Sequence, residues 1–194
     1  MADKNIIPIF PLNILPIKEE LIPLHIFEPR YRQLLKDAED NDILFGILYA
    51  VSSNEDRVGA LVKLESILKR YDTGESDIVV KCVGSFLLER YFKHFKDRMY
   101  AGGEIILLPE EKSGRVSEEL RNEYLNYQEL IKANQIKNIT AHDIANALDL
   151  DNSDRLKYVR LLSLEKRERF LLERLKYKSF IIEQEKHQSK FSLN

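Results

Sequence analysis

The side chains able to make or break bonds are few and scattered. Four histidines (His25, His94, His142, His187) and one cysteine (Cys82) are the only imidazoles and thiol in 194 residues. No two of them stand at a metal-ligand spacing such as H-x-x-x-H or C-x-x-C. His142-Asp143 and His94-x-x-Asp97 are local pairs of a kind common on any surface, whereas catalysis needs several converging polar groups. No G-x-x-x-x-G-K-[ST] loop is present to cradle phosphates, and the nearest candidate, Thr73-Gly74-Glu75, lacks the second glycine and the lysine. The expectation is a protein that is not an enzyme and has no catalytic residue, cofactor or metal.

Two other constellations could bind a ligand. The first is His25, Phe27, Glu28, Arg30 and Tyr31. These residues could line a groove that receives a peptide. Alternatively His25 and Glu28 fix a sharp corner by hydrogen bonds, Phe27 is buried there and Arg30 pairs with a carboxylate beneath the sheet, since buried polar groups must be paired. The second is an aromatic and basic run from Phe86 to Tyr100 that includes Arg90, Tyr91, Lys93, Phe95, Lys96 and Arg98. Basic residues interleaved with aromatics can neutralise phosphates and stack bases. The competing reading is a strand end and loop with solvated lysines and core-facing aromatics.

The elements that must position these residues are legible in outline. Leu21 to Leu35 turns from an extended apolar segment into a helix. Pro23 suits an edge position. Glu28 precedes a proline, which biases it away from helical angles, and Pro29 fits the first helical position. Tyr31, Leu34, Leu35 and Ala38 then form one helical face. Strands are expected at 6–12, with Pro8 and Pro11 confining it to an edge or rim, and at 44–51, 58–68, 78–83, 86–91 and 100–108. Gly84 is read as a bend or bulge between two of these. All seven glycines lie between Gly46 and Gly114, and from Arg115 to Asn194 there is neither glycine nor proline. Such a stretch argues for helices alone. Ser117, Thr140, Asn152 or Ser153, and Ser163 are the expected helix starts, with Asp143 completing an acidic capping box on Thr140.

The run Pro23-Leu24-His25-Ile26-Phe27-Glu28-Pro29-Arg30-Tyr31 resembles the signature of the Lon N-terminal domain, the substrate-binding part of ATP-dependent protease La. The same domain type occurs in cereblon and in stand-alone peptidase S16 Lon domain proteins, which bear the name of a peptidase they lack. The resemblance extends from about Ile6 to about Leu175. It implies a PUA-like fold and, with the strand and breaker pattern, an α+β architecture: a mainly antiparallel barrel-like sheet over residues 4–112 and an all-helical subdomain over 115–185. The polar composition of the last residues predicts a disordered tail over 186–194. The resemblance also implies non-enzymatic recognition of unfolded or partly folded polypeptides. Because the PUA-like fold includes RNA binders, an RNA-binding module is the alternative. An adaptor that delivers clients to a separate protease is another.

Composition is consistent with this and sets limits. The chain has 44% hydrophobic and 32% charged residues, and a net charge of −2. That balance gives no bulk attraction to nucleic acid or to an acidic membrane. A single cysteine cannot form an internal disulfide, no apolar run approaches the length of a membrane span, and no signal peptide is visible. The expected compartment is the cytoplasm.

Overall fold

The computed structural model describes residues 5–109, 115–133 and 139–191, with side chains to Lys186. The chain forms two compact units. The first comprises residues 1–109 together with 151–159. Its strands are β1 (Asn5–Leu12), β2 (Leu21–Ile26), β3 (Phe45–Tyr49), β4 (Val58–Arg70), β5 (Ser76–Phe92) and β6 (Ala101–Leu107). Helix α1 (Pro29–Asn41) follows β2, and α4 (Asn152–Arg160) belongs to this unit through residue 159. The sheet order is β2-β5-β4-β3-β1-β6, and a further β5–β6 pairing closes five of the strands into a ring. All pairings are antiparallel except β1–β3.

Ring closure corrects the expectation for the first strand. β1 is not an edge: it pairs with β6 over Asn5–Ile9 and with β3 over Ile9–Leu12. Each proline therefore lies where the strand is laddered on one side only, the setting in which a missing N–H can cost no ladder bond. The segments expected at 78–83 and 86–91 are one strand. The register slips between Leu61 and Val62, whose partners are Gly84 and Cys82, so the residue between those partners is the extra one. That is the expected bulge, and it bends β5 without ending it.

The smaller core cluster fills the ring with Ile9, Leu61, Phe86, Leu88, Ala101 and Ile105. Phe86 is fully buried, and a side chain at Gly46 or Gly59 would collide with its ring. These two glycines let β3 and β4 pass close over one aromatic. The larger cluster lies on the other face of the sheet, where Tyr31, Leu34, Leu35 and Ala38 of α1 pack with Ile26, Ile78 and Val80. Cys82 is buried in it, as its strand pattern suggests. Arg155 of α4 forms a two-pronged pair with Glu20 (2.6 and 3.0 Å) and also bonds the Leu15 carbonyl.

The second unit comprises residues 110–150 and 160–194. It contains α2 (Glu118–Leu130), α3 (Ala141–Ala147) and α5 (Leu164–Phe191). Ser117 caps α2, and Thr140 with Asp143 forms a complete capping box on α3. Leu120, Tyr124, Ile144, Leu171 and Leu175 are buried. The tail expected from residue 186 is helical as far as Phe191, and residues 192–194 lie outside the described residues.

Candidate functional site

Past the ring, β2, the first part of β5 and the distal part of β4 form a three-stranded arm. The pairs Leu21↔Lys81, Pro23↔Val79 and His25↔Asp77 set its register on one side. Ile22, Leu24 and Ile26 pack on the core. Alternation therefore turns Leu21, Pro23 and His25 outward. Phe27 continues that parity past the strand end and is 55% exposed. This corrects the buried-corner reading of Phe27. The period-two pattern counted from Ile22 was the signal that could have placed it.

Arg30 departs from the expectation in the same way. Its Nε donates to Glu28 Oε2 at 2.8 Å, two residues away and at the surface. That bond, more than any other cause, raises the guanidinium pKa further. Arg30 also lies 4.6 Å from the centroid of Tyr31. Glu28 is the N-cap residue of α1 in extended geometry, with Pro29 behind it, but its side chain makes no capping bond. Tyr31 alone of the five is core, its ring centroid 4.0 Å from that of Phe10. Burial raises its pKa.

Across the outer face of the arm runs a polar and aromatic row. His25 Nδ1 lies 2.7 Å from Asp77 Oδ1, and the Tyr71 hydroxyl donates to Asp77 Oδ2 at 2.7 Å. The bond from His25, then that from Tyr71, holds the Asp77 carboxyl below the usual aspartate range. An ionised carboxylate only accepts, so Nδ1 carries the proton. Phe27 stacks on His25 at 6.0 Å, Tyr71 meets it edge-on at 6.0 Å, and Lys69 lies 4.3 Å over the Tyr71 ring. Glu75 is 3.8 Å from His25 Nε2 and 3.9 Å from Arg32. Leu21 and Leu68 are also exposed. β2 is laddered to β5 alone and stands first in the sheet order, so among the described residues no strand covers its other side. The arm thus offers an unpaired strand edge, the exposed Phe27 ring beside it and the half-buried Tyr71 ring on the same face. A histidine–aspartate pair is present, but no nucleophile is held against it by any described hydrogen bond.

The Phe86-to-Tyr100 run is largely occupied by its own contacts. Phe86 and Tyr100 are core. Phe95 stacks on Tyr100 at 5.8 Å, lies against Gly102 and is met by Lys96 at 5.2 Å. Arg98 pairs with Asp37 at 2.9 Å, and the Tyr100 hydroxyl donates to the other oxygen of Asp37 at 2.7 Å. Burial, followed by the bond to Asp37, raises the Tyr100 pKa strongly. Arg90 lies 5.9 Å from the Phe92 ring. Arg90, Tyr91, Lys93, Lys96 and Arg98 are exposed, and of these Tyr91 and Lys93 make no side-chain hydrogen bond, ion pair or ring contact among the described residues. Among the described residues no group of three His, Cys, Asp or Glu side chains could hold a metal ion, and no helix is long and apolar enough to cross a membrane.

Comparison with known proteins agrees with the fold. The chain is similar to a Lon N-terminal domain protein from Xanthomonas campestris, with 18% identity and a TM-score of 0.70 over 87% of this chain and 98% of that one. It is also similar to the N-terminal domain of Mycobacterium avium complex Lon protease, with 13% identity and a TM-score of 0.60 over 89% of this chain and 98% of that one. No curated protein matches the sequence. Residues 6–176 match the family model of the ATP-dependent protease La (LON) substrate-binding domain. The chain belongs to the family of LON substrate-binding domains.

Proposed function

We propose that this domain binds unfolded or partly folded polypeptides reversibly and without chemistry, along the outer edge of β2. The observation that carries the reading is the exposure of Phe27 beside a strand edge with no partner among the described residues. An extended chain can add to such an edge through backbone hydrogen bonds and seat alternate side chains on the neighbouring face. Phe27 and Tyr71 supply apolar rings there, and His25, Lys69 and Glu75 supply a charged rim. Family membership supports the substrate-recognition role. Residues 1–194 contain no phosphate-binding glycine loop, so ATP-driven unfolding of a client falls to another module. Cleavage of the client is assigned in this reading to a separate protease. RNA recognition is the weaker reading, because Phe95, Arg98 and Tyr100 are engaged within the fold.

Backbone amide exchange tests the reading. Adding an unfolded, reduced model protein should slow exchange in Leu21–Ile26 more than elsewhere. Protection confined to other segments would remove the β2 edge from the account.

A further inference from the structure

A second exposed apolar surface lies on α5, in the second unit. On α5, Tyr177, Phe180 and Ile181 are 61%, 55% and 37% exposed, while Leu171 and Leu175 are fully buried. Residues 177, 180, 181 and 184 fall at i, i+3, i+4 and i+7, so the exposed apolar groups and Gln184 form one stripe. Charges flank the stripe in a fixed order. Lys176 and Glu183, seven residues apart, share one flank, and Lys178 and Glu185 share the other. Between residues 176 and 185 the lysine comes first on both flanks.

We propose that this stripe pairs antiparallel with the same stripe of a second copy of the chain. In an antiparallel pair each flank meets its own counterpart run in reverse. Lys176 then faces Glu183 of the second copy, and Lys178 faces Glu185. The midpoints of both pairs fall within about two residues of Phe180 and Ile181, so one two-fold axis serves the apolar stripe and both flanks. A parallel pair would instead set lysine beside lysine and glutamate beside glutamate, which is unfavourable. Among the described residues only a 3.9 Å approach to Glu119 engages Lys176, and its side chain is more than half exposed. About three helical turns bury less than the ~1,200 Å² of a standard interface, so the dimer is weak and concentration-dependent. This inference is independent of the polypeptide reading, which concerns β2 in the first unit.

Sedimentation equilibrium of the full chain tests it. The wild type should show a monomer–dimer equilibrium that weakens with salt. The acidic variant Lys176→Glu with Lys178→Glu, and the basic variant Glu183→Lys with Glu185→Lys, should each self-associate about tenfold more weakly or not at all. Mixing the two should restore association as a heterodimer, which a misfolded variant could not do. Phe180→Ser should also lower dimer formation by about tenfold. A wild type that stays monomeric at every concentration, or a mixture that does not associate, would overturn the proposal. So would a Phe180→Ser variant that dimerises normally but loses binding of an unfolded polypeptide, because the stripe would then be a client surface.

Discussion

His25 and Asp77 stand opposite one another in the β2–β5 ladder and share a bond of 2.7 Å on the solvent side of the sheet. The bond ties the end of the β2 edge to β5, its one neighbouring strand among the described residues. It leaves the His25 ring as the surface against which Phe27 stacks. A residue 52 positions away thus orients the aromatic platform beside the edge.

The pair should be visible in the pH dependence of stability. The folded-state pKa of Asp77 lies below the ordinary aspartate value of 3.8. Its contribution is therefore complete above that value and is lost as pH falls through the lowered folded one. Tyr71 has the opposite sign. Its pKa is raised above 10.0, chiefly by the bond to Asp77, so its contribution holds below that value and is lost as pH rises through the folded one. Thermal melts of Asp77→Asn should lose part of the acid-side dependence, and those of Tyr71→Phe part of the alkaline one. Unchanged profiles in both variants would show that the bonds do not persist in solution.

Phe27→Ala separates stability from binding. An exposed ring costs little when truncated, so the variant should melt within about 1 kcal/mol of the wild type. It should bind an unfolded polypeptide about tenfold more weakly, a loss of ~1.4 kcal/mol. Arg30→Ala should also cost less than about 1 kcal/mol, because a surface pair with Glu28 contributes little. Calorimetric melts beside a binding titration distinguish these outcomes.

The buried pair Tyr100 and Asp37 should behave otherwise. Tyr100→Phe removes a donor from a nearly buried carboxylate while Arg98 remains. The expected loss of stability is ~1–3 kcal/mol by denaturant titration.

Two glycines give a further contrast. A methyl group at Gly59 would press into the Phe86 ring and lie 2.7 Å from the Ile47 carbonyl oxygen. Gly59→Ala should therefore destabilise by ~1–3 kcal/mol. At Gly84 the same methyl meets nothing within 4 Å. Gly84→Ala should be neutral or stabilising by up to ~1 kcal/mol, because it restricts the unfolded chain. Urea midpoints of the two variants check both.

Features set by neighbouring residues were legible in the sequence. The Glu28–Pro29 entry to α1, the Ser117 cap and the Thr140–Asp143 box rest on local backbone chemistry and appear where expected. The nine-residue run at the corner also carried the family. Features set by distant pairing were less legible. β1 acquires its second neighbour only when β6 closes the ring, which no local pattern encodes. The partner of His25 depends on the β2–β5 register. The Phe86-to-Tyr100 run resembled a ligand patch because its internal partners, Asp37 and Gly102, lie elsewhere in the chain. The exposure of Tyr177, Phe180 and Ile181 on α5 was not legible in the sequence, because periodicity does not say which apolar face of a helix remains uncovered.

The most direct test of polypeptide recognition is a titration of the protein with an unfolded, reduced model protein and with single-stranded RNA, each at low and moderate salt. The account predicts polypeptide binding on the order of micromolar, with a negative heat-capacity change and little salt dependence. Binding of RNA alone, falling steeply as salt rises, would contradict it.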